Sequence, residues 1–237
     1  MEIQLKNKQE FISVLKNYTI SDDHRTSLGD ITLVLLVGIT GSGKNAIMHR
    51  LSESGEFHVV VSDTTRPPRA GEQNGREYWF RSEADVLADL RNGRFVEAAL
   101  IHNQQVSGTN TREFEEALSQ HKIALNEVDV MGIENFLKAK PDIIPIFLIP
   151  PSIEIWQERL HKRGEMSPED LKNRLKSSLV EIKTALEKPY YHFLINDNLE
   201  DAIHGVRKIS KGIINAEHDA HGRQVAQELL KKIETMV

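Results

Sequence analysis

A run of glycines ending in lysine can wrap a phosphate, and this chain has one where the chemistry needs it. Gly38-Ile39-Thr40-Gly41-Ser42-Gly43-Lys44-Asn45 has the form G-x-x-x-x-G-K and directly follows the apolar run 31–37. Glycines let successive backbone N–H groups turn inward on one anion, and the start of a following helix adds partial positive charge. Lys44 then reaches the outer phosphates of a nucleotide. The bland alternative is a tight glycine turn with a lysine facing water; the strand before and the helix after argue against it. Two positions depart from the usual pattern. Asn45 stands where Ser or Thr normally helps hold Mg²⁺, and Ala46 offers only its backbone where a hydroxyl often binds phosphate. If each missing hydroxyl removes one hydrogen bond of about 1–1.5 kcal/mol, the cost is about tenfold each.

A second constellation is Ser62-Asp63-Thr64-Thr65-Arg66-Pro67-Pro68-Arg69-Ala70-Gly71-Glu72-Gln73-Asn74-Gly75-Arg76-Glu77-Tyr78. Two arginines three apart, with a serine before and a tyrosine after, have the donors to converge on one phosphate. Guanidinium forks match phosphate oxygens and stay charged at any working pH. The same residues also suit a solvated, proline-containing loop. This segment closely resembles the substrate loop of guanylate kinases, S-x-T-T-R-x-P-R-x-G-E-x-x-G-x-x-Y, and the similarity extends from about residue 31 to 214. The resemblance implies that Ser62, Arg66, Arg69 and Tyr78 bind the phosphate of GMP.

The resemblance continues at Phe95-Val96-Glu97, similar to the family's F-[IL]-E, and implies that Glu97 reads guanine. Chemistry supports it: guanine presents N1–H and N2–H₂ side by side, so one carboxylate can accept both, whereas adenine lacks both donors. An exposed acid on a strand edge is the plainer reading of Glu97. Ser107-Gly108-Thr109 is similar to Y-G-[ST], which implies that Thr109 also reads guanine; Ser107 replaces the usual tyrosine, and the hairpin before it reads as one residue longer. Leu125-Asn126-Glu127-Val128-Asp129 is similar to I-L-D-I-D. It implies that Asp129 lies by the acceptor nucleotide and that Glu127, in place of an Asp, can hold a Mg²⁺-bound water. Acids at a strand's C-terminal end also serve structure alone, although ligands bind at that end in open α/β sheets.

Further on, Arg159 and Arg163 are four apart on one helix face, and Arg174 lies on the next helix. Their block is similar to the lid of guanylate kinases, which implies arginines closing over phosphates in flight. Pairing with helix acids such as Glu158 is the alternative. Asn196 resembles the residue that touches the adenine of ATP, though Asn-Asp is also a common turn. The implied reaction is ATP + GMP = ADP + GDP with Mg²⁺. Its rivals are a guanylate-kinase-like binding module that has lost catalysis, which Asn45, Ala46 and Ser107 favour, and a P-loop kinase for another phosphorylated acceptor.

The elements that must position these residues are visible as apolar runs. Stretches 31–37, 58–61, 123–128, 143–149 and 192–195 read as strands buried on both faces, with helical patterns between several of them. Strands alternating with helices imply an α/β, P-loop NTPase-type three-layer fold around a parallel sheet. Asn7 with Glu10 reads as the start of a short amphipathic helix carrying Phe11, Val14, Leu15 and Tyr18. Ser167, Pro168 and Asp170 start a long helix. Val225, Leu229 and Ile233 mark a last one. The polar stretch 21–30 reads as a linker. The expected organisation is an N-terminal helical extension (1–30), a catalytic domain (31–215) with an acceptor insert at about 63–110 and a lid at about 163–168, and a C-terminal helix (216–237). The terminal helices dock on the domain or meet another copy; docking is the plainer expectation.

At 237 residues, 39% hydrophobic and 27% charged, the chain can bury an ordinary globular core. A net charge of −5 argues against a duplex nucleic acid partner, which needs a basic face. The absence of cysteine excludes disulfides and thiolate chemistry and fits a cytoplasmic setting. No signal-peptide layout opens the chain, and its longest apolar stretches are too short to span a bilayer.

Overall fold

A computed structural model describes residues 5–162 and 167–237. In chain order its elements are α1 (Lys8–Leu15), α2 (Asp22–Ser27), β1 (Leu33–Val37), α3 (Lys44–Glu53), β2 (Phe57–Val59), β3 (Asp63–Thr64) and β4 (Trp79–Phe80). There follow α4 (Glu83–Arg91), β5 (Phe95–Ile101), β6 (Gln105–Asn110), α5 (Arg112–Ser119), β7 (Ile123–Glu127), α6 (Ile133–Ala139) and β8 (Ile144–Ile149). The chain closes with α7 (Ile153–His161), α8 (Pro168–Glu187), β9 (His192–Ile195), α9 (Leu199–Ser210) and α10 (Ala216–Glu234). Two compact units emerge. The first holds the chain up to Ile31 with His58–Ala124 and Glu134–Asp142; the second holds Thr32–Phe57, Leu125–Ile133 and Ile143–Val237.

The second unit is organised by the five-stranded sheet β2-β7-β1-β8-β9. β8 runs parallel to both neighbours, with Val34 opposite Ile144 and Ile146 opposite His192. All five residues of β1 are buried, as its unbroken Leu-Val-Leu-Leu-Val run demands of a strand covered on both faces. This is the α/β architecture with a parallel sheet core that the alternation of apolar runs and helices implies. α10 buries Val225, Leu229 and Ile233 and fastens to β9. Asp219 accepts the Phe193 N–H at 2.7 Å, and the Arg223 guanidinium lies 4.6 Å from the Phe193 ring centroid. α8 starts as expected: the Ser167 hydroxyl accepts the Asp170 N–H, with Pro168 in the first turn.

The first unit carries a four-stranded sheet, β4-β3-β6-β5. β5 and β6 form an antiparallel hairpin whose turn places His102 and Asn103 at positive φ. Below its centre lies a buried ion network: Asp63, 1% exposed, accepts from Arg112 at 2.9 Å and from Arg81 at 3.2 Å. Burial pushes the Asp63 carboxyl up, and the two guanidiniums oppose that push.

Two local readings need correction. Residues 21–30 are not simply a linker: Ser21 accepts the His24 N–H and starts α2, with Asp22 and Asp23 in the first turn favouring the helix dipole. The stretch holds too few apolar residues to show a period, yet Leu28 is 1% exposed and anchors it. At α1 the helix begins where expected, but the Asn7 side chain makes no cap bond. The Glu83 carboxylate caps it instead, accepting the Lys6 and Asn7 N–H groups at 3.1 and 2.8 Å.

Candidate functional site

In the second unit β1 delivers the glycine loop and α3 leads away from it, the strand-loop-helix order that an anion site requires. The loop is braced from below by two side chains. The fully buried Trp156 of α7 donates its Nε1–H to the Thr40 carbonyl at 2.6 Å, and the Asn196 amide donates to the Ser42 carbonyl at 2.7 Å. Gly43 sits at φ 99°, and a Cβ there would fall 2.1 Å from the Asn196 amide nitrogen, so only glycine fits. The Lys44 ammonium lies over the loop, donating to the Gly38 carbonyl, with Glu127 at 3.5 Å. Ser42 Oγ is buried and has no hydrogen-bond partner among the described residues. A buried hydroxyl without a partner calls for one, which a phosphate oxygen can supply.

Around Lys44 the structure gathers acids. Glu127 is exposed at the end of β7, and Asp129 follows, its Oδ1 accepting the Met131 and Gly132 N–H groups at 3.0 and 2.7 Å. To these α8 adds Glu181, which the sequence reading missed. Burial pushes its carboxyl up to about 7, with the Lys44 charge opposing and Asp129 and Glu127 reinforcing the shift. A helix acid among lysines carries no distinguishing mark. The available signal was spacing, since Glu181 follows Arg174 by seven residues on one helix face.

A raised carboxyl pKa makes the folded, ligand-free chain most stable relative to the unfolded one below pH 4.5, and that advantage is lost as pH rises through about 7. Glu181→Gln is therefore expected to unfold at the same denaturant midpoint as the parent near pH 4.5. At pH 8 it should be more stable, by about 1–3 kcal/mol. Equal stability differences at both pH values would show that Glu181 is not strained by its charge.

Of the lid arginines, Arg159 is half-buried on α7. Its Nη2 reaches the Asp197 carbonyl at 3.4 Å, and its buried Nη1 has no partner among the described residues. Glu158 does not hold it, pairing with Lys162 at 2.7 Å. Arg174 is half-buried on α8. Arg163, with most of the expected lid, lies outside the described residues. Asn45 and Ala46 are exposed in the first turn of α3.

In the first unit the loop expected to bind substrate is ordered by one carboxylate. Glu72 grips Arg66 by both oxygens, at 2.6 and 2.8 Å, and also accepts the Arg69 N–H at 2.7 Å. These bonds pull the Glu72 carboxyl down to about 2, so it is ionised at any working pH. Arg66 is 7% exposed and stacks on Tyr78 and Phe80, with centroid distances of 5.0 and 5.4 Å. Glu72 takes both Nη groups and the Pro67 carbonyl accepts from Nη1 at 3.0 Å, so the plane of the guanidinium is fixed. Arg69 is exposed and Ser62 is half-buried. Glu72 was legible only as a letter of the motif, not as the residue that orients Arg66.

Glu97 on β5 faces Thr109 on β6 across the ladder, and the Thr109 hydroxyl donates to the Glu97 carboxylate at 2.8 Å. Thr109 is 1% exposed, so the pair is held rather than solvated. Ser107, in the family's tyrosine position, turns its hydroxyl to Thr64 at 2.9 Å. The structure thus brings together Lys44, Glu127 and the loop in one unit, and Arg66, Glu72 and Tyr78 with the Glu97–Thr109 pair in the other. No described helix is long and apolar enough to cross a membrane.

Comparison with known proteins points the same way. The family model for guanylate kinase matches residues 30–212. A guanylate kinase of Corynebacterium diphtheriae is 36% identical over 182 residues, covering 76% of this chain and 94% of that protein. One of Helicobacter pylori is 34% identical over 187 residues, covering 78% and 89%. Among solved structures, guanylate kinase from Anaplasma phagocytophilum superposes with a TM-score of 0.53 over 87% of this chain and 97% of that one, at 24% identity, a likeness of fold.

Proposed function

This chain belongs to the guanylate kinase family, and on that premise we propose how its own residues phosphorylate GMP with ATP. It is a nucleoside monophosphate kinase: the γ-phosphoryl group of ATP passes to GMP, giving ADP and GDP. The observation that supports the reading is that one unit holds Arg66 by Glu72, just past β3, and Glu97 by Thr109 on the β5–β6 hairpin. Arg66, held by Glu72, takes the GMP phosphate with Arg69, Ser62 and Tyr78. Glu97, held by Thr109, accepts the guanine N1–H and N2–H₂, while Asp129 lies toward the acceptor nucleotide.

The backbone of the loop from Gly38 to Asn45 cradles the donor phosphates and Lys44 moves from its loop carbonyls onto them. Asn196, braced under the loop, completes the adenine side. Arg159, Arg163 and Arg174 neutralise charge on the phosphoryl group in flight, the stabilisation that accounts for most catalysis in this chemistry. There is no covalent step for the protein to perform, so positioning and exclusion of water are its contribution.

The oxygen donors near Lys44 suit a hard cation. Mg²⁺ keeps several waters and substrate oxygens and takes one or two protein ligands. Asn45 and Glu127 would hold it; when bound it supplies charge neutralisation between the outer phosphates. The reading places the reaction in the cytoplasm, where ATP and GMP meet.

Purified protein with ATP and Mg²⁺ is expected to release ADP and GDP in equal amounts only when GMP is added. No release above background, beside measurable GMP binding, would overturn the reading. Glu97→Gln keeps the shape but loses one acceptor, and should cut the preference for GMP over AMP by about 10²-fold or more. An unchanged preference would mean that guanine is read elsewhere.

A further inference from the structure

The strand that carries Glu97 is held from outside by a residue beyond the family match, which begins at residue 30. β5 is the edge strand of its sheet, and its register against β6 shifts between Phe95 and Glu97. Such a bulge re-aims the side chain that follows it, and bulges gather beside functional sites. Here that side chain is Glu97. An edge strand leaves outward N–H and C=O groups unpaired unless something takes them. At Phe95 one hydroxyl takes both: Tyr18 accepts the Phe95 N–H and donates to the Phe95 carbonyl, each at 2.7 Å. Phe95 is fully buried, so losing that hydroxyl leaves two backbone groups without a ready substitute.

The surrounding segment holds Tyr18 in place. Phe11 of α1 is buried against Val86, Leu87 and Leu90 of α4, with Tyr18 packed on the same cluster. Arg91 of α4 pairs with Glu10. Three residues past Tyr18, the Ser21 N–H donates to the Gly93 carbonyl at 3.1 Å. Gly93 sits at φ 64°, and a Cβ there would come within 2.6 Å of the Ser21 nitrogen, so the close approach depends on glycine. Residues 18–21 therefore grip the strand at 93–95, two positions before Glu97. Burial pushes the Tyr18 phenol up to about 12, and the charges of Asp89 and Glu97 add to this, so it keeps its proton to donate at every working pH.

We propose that Tyr18 is a positioning residue for recognition of the acceptor base: by clamping both backbone groups of Phe95 it sets the bulge that aims Glu97. The inference rests on the reading that Glu97 and Thr109 face guanine. It makes the segment before residue 30 part of the specificity apparatus rather than an appendage.

The test is Tyr18→Phe, which removes only the hydroxyl. KM for GMP should rise about tenfold while kcat at saturating GMP and KM for ATP stay within about twofold. The preference for GMP over IMP, which lacks the 2-amino group, should narrow by a similar factor. In a Glu97→Gln background the same change should no longer alter that preference, because its route is gone. A variant that loses thermal stability and active fraction but keeps the parental KM for GMP and the parental preference would overturn the proposal. So would an effect on preference that persists unchanged without Glu97. On the unaltered chain, GMP should slow hydrogen exchange of the Phe95 amide, and a rate there indifferent to GMP would also overturn it. A parent that fails to phosphorylate GMP at all would instead refute the underlying functional reading.

Discussion

Lys44→Ala is expected to lower kcat for GMP phosphorylation by about 10³-fold or more, with KM for GMP little changed. The Lys44 side chain is 11% exposed, at the start of the helix that follows the glycine loop, and its ammonium's present partners are loop carbonyls and Glu127. Carbonyls that a phosphate can outbid make a resting place, not a final one, because a lysine has three donors and a point charge to offer an anion. Removing it takes away positive charge where the transferring group gathers negative charge. It also removes a charge that holds the Glu181 carboxyl down, so that carboxyl should titrate still higher in the variant. Both effects are checked on one protein: steady-state rates for the first, and pH-dependent unfolding for the second. Activity within tenfold of the parent would mean that the loop does not bind the donor.

Arg66→Ala should raise KM for GMP by about 10²–10³-fold and leave KM for ATP nearly unchanged. Arg66 combines a charge, a planar fork and two aromatic faces, and Glu72 is left facing an empty place when it goes. Lysine should rescue little of this. An ammonium cannot take both Glu72 oxygens in a fork or stack flat on Tyr78, so it would be neither pre-oriented nor bidentate toward phosphate. Because Glu72 stays ionised down to about pH 2, this pair should add no pH dependence to the KM for GMP between pH 7 and 8, above the second ionisation of the GMP phosphate at about pH 6. Steady-state titration of GMP at fixed ATP measures all three. A lysine variant equal to the parent would show that Arg66 serves only as a charge.

The parallel sheet was legible because burial on both faces writes an unbroken apolar run, and β1, β8 and β9 lie within a residue or two of the runs that announced them. The smaller sheet was not, for a physical reason. β3 and β4 are two residues each, and a two-residue strand has no period to detect. α5 hid itself differently, burying Glu113 on its inner face, where the carboxylate accepts from the Trp79 indole and the Val61 N–H. With only 8 residues, and Phe114 and Ala117 the buried apolar ones, α5 offered about two turns of pattern to read.

The same contrast holds in the site. Lys44 and the pair Arg66 and Arg69 could be singled out as candidates by residue type and short spacing, and Glu97 by the family resemblance. Glu72, Glu181 and Tyr18 act on those residues through contacts that spacing does not encode; Tyr18 meets Phe95 across 77 positions. Asn196 shows the opposite case, a residue singled out for a ligand whose amide the structure ties to the loop beneath that ligand.

The central claim is that this chain holds two nucleotides by different means, an amide-lined glycine loop for one and a pre-oriented arginine pair for a guanine-bearing other. A crystal structure with GMP and a non-hydrolysable ATP analogue tests it most directly. Arg66 and Arg69 are expected on the GMP phosphate, Glu97 on the guanine edge, and the analogue's phosphates within the loop at Lys44. A structure with both ligands bound and the two arginines turned away from any phosphate would contradict it.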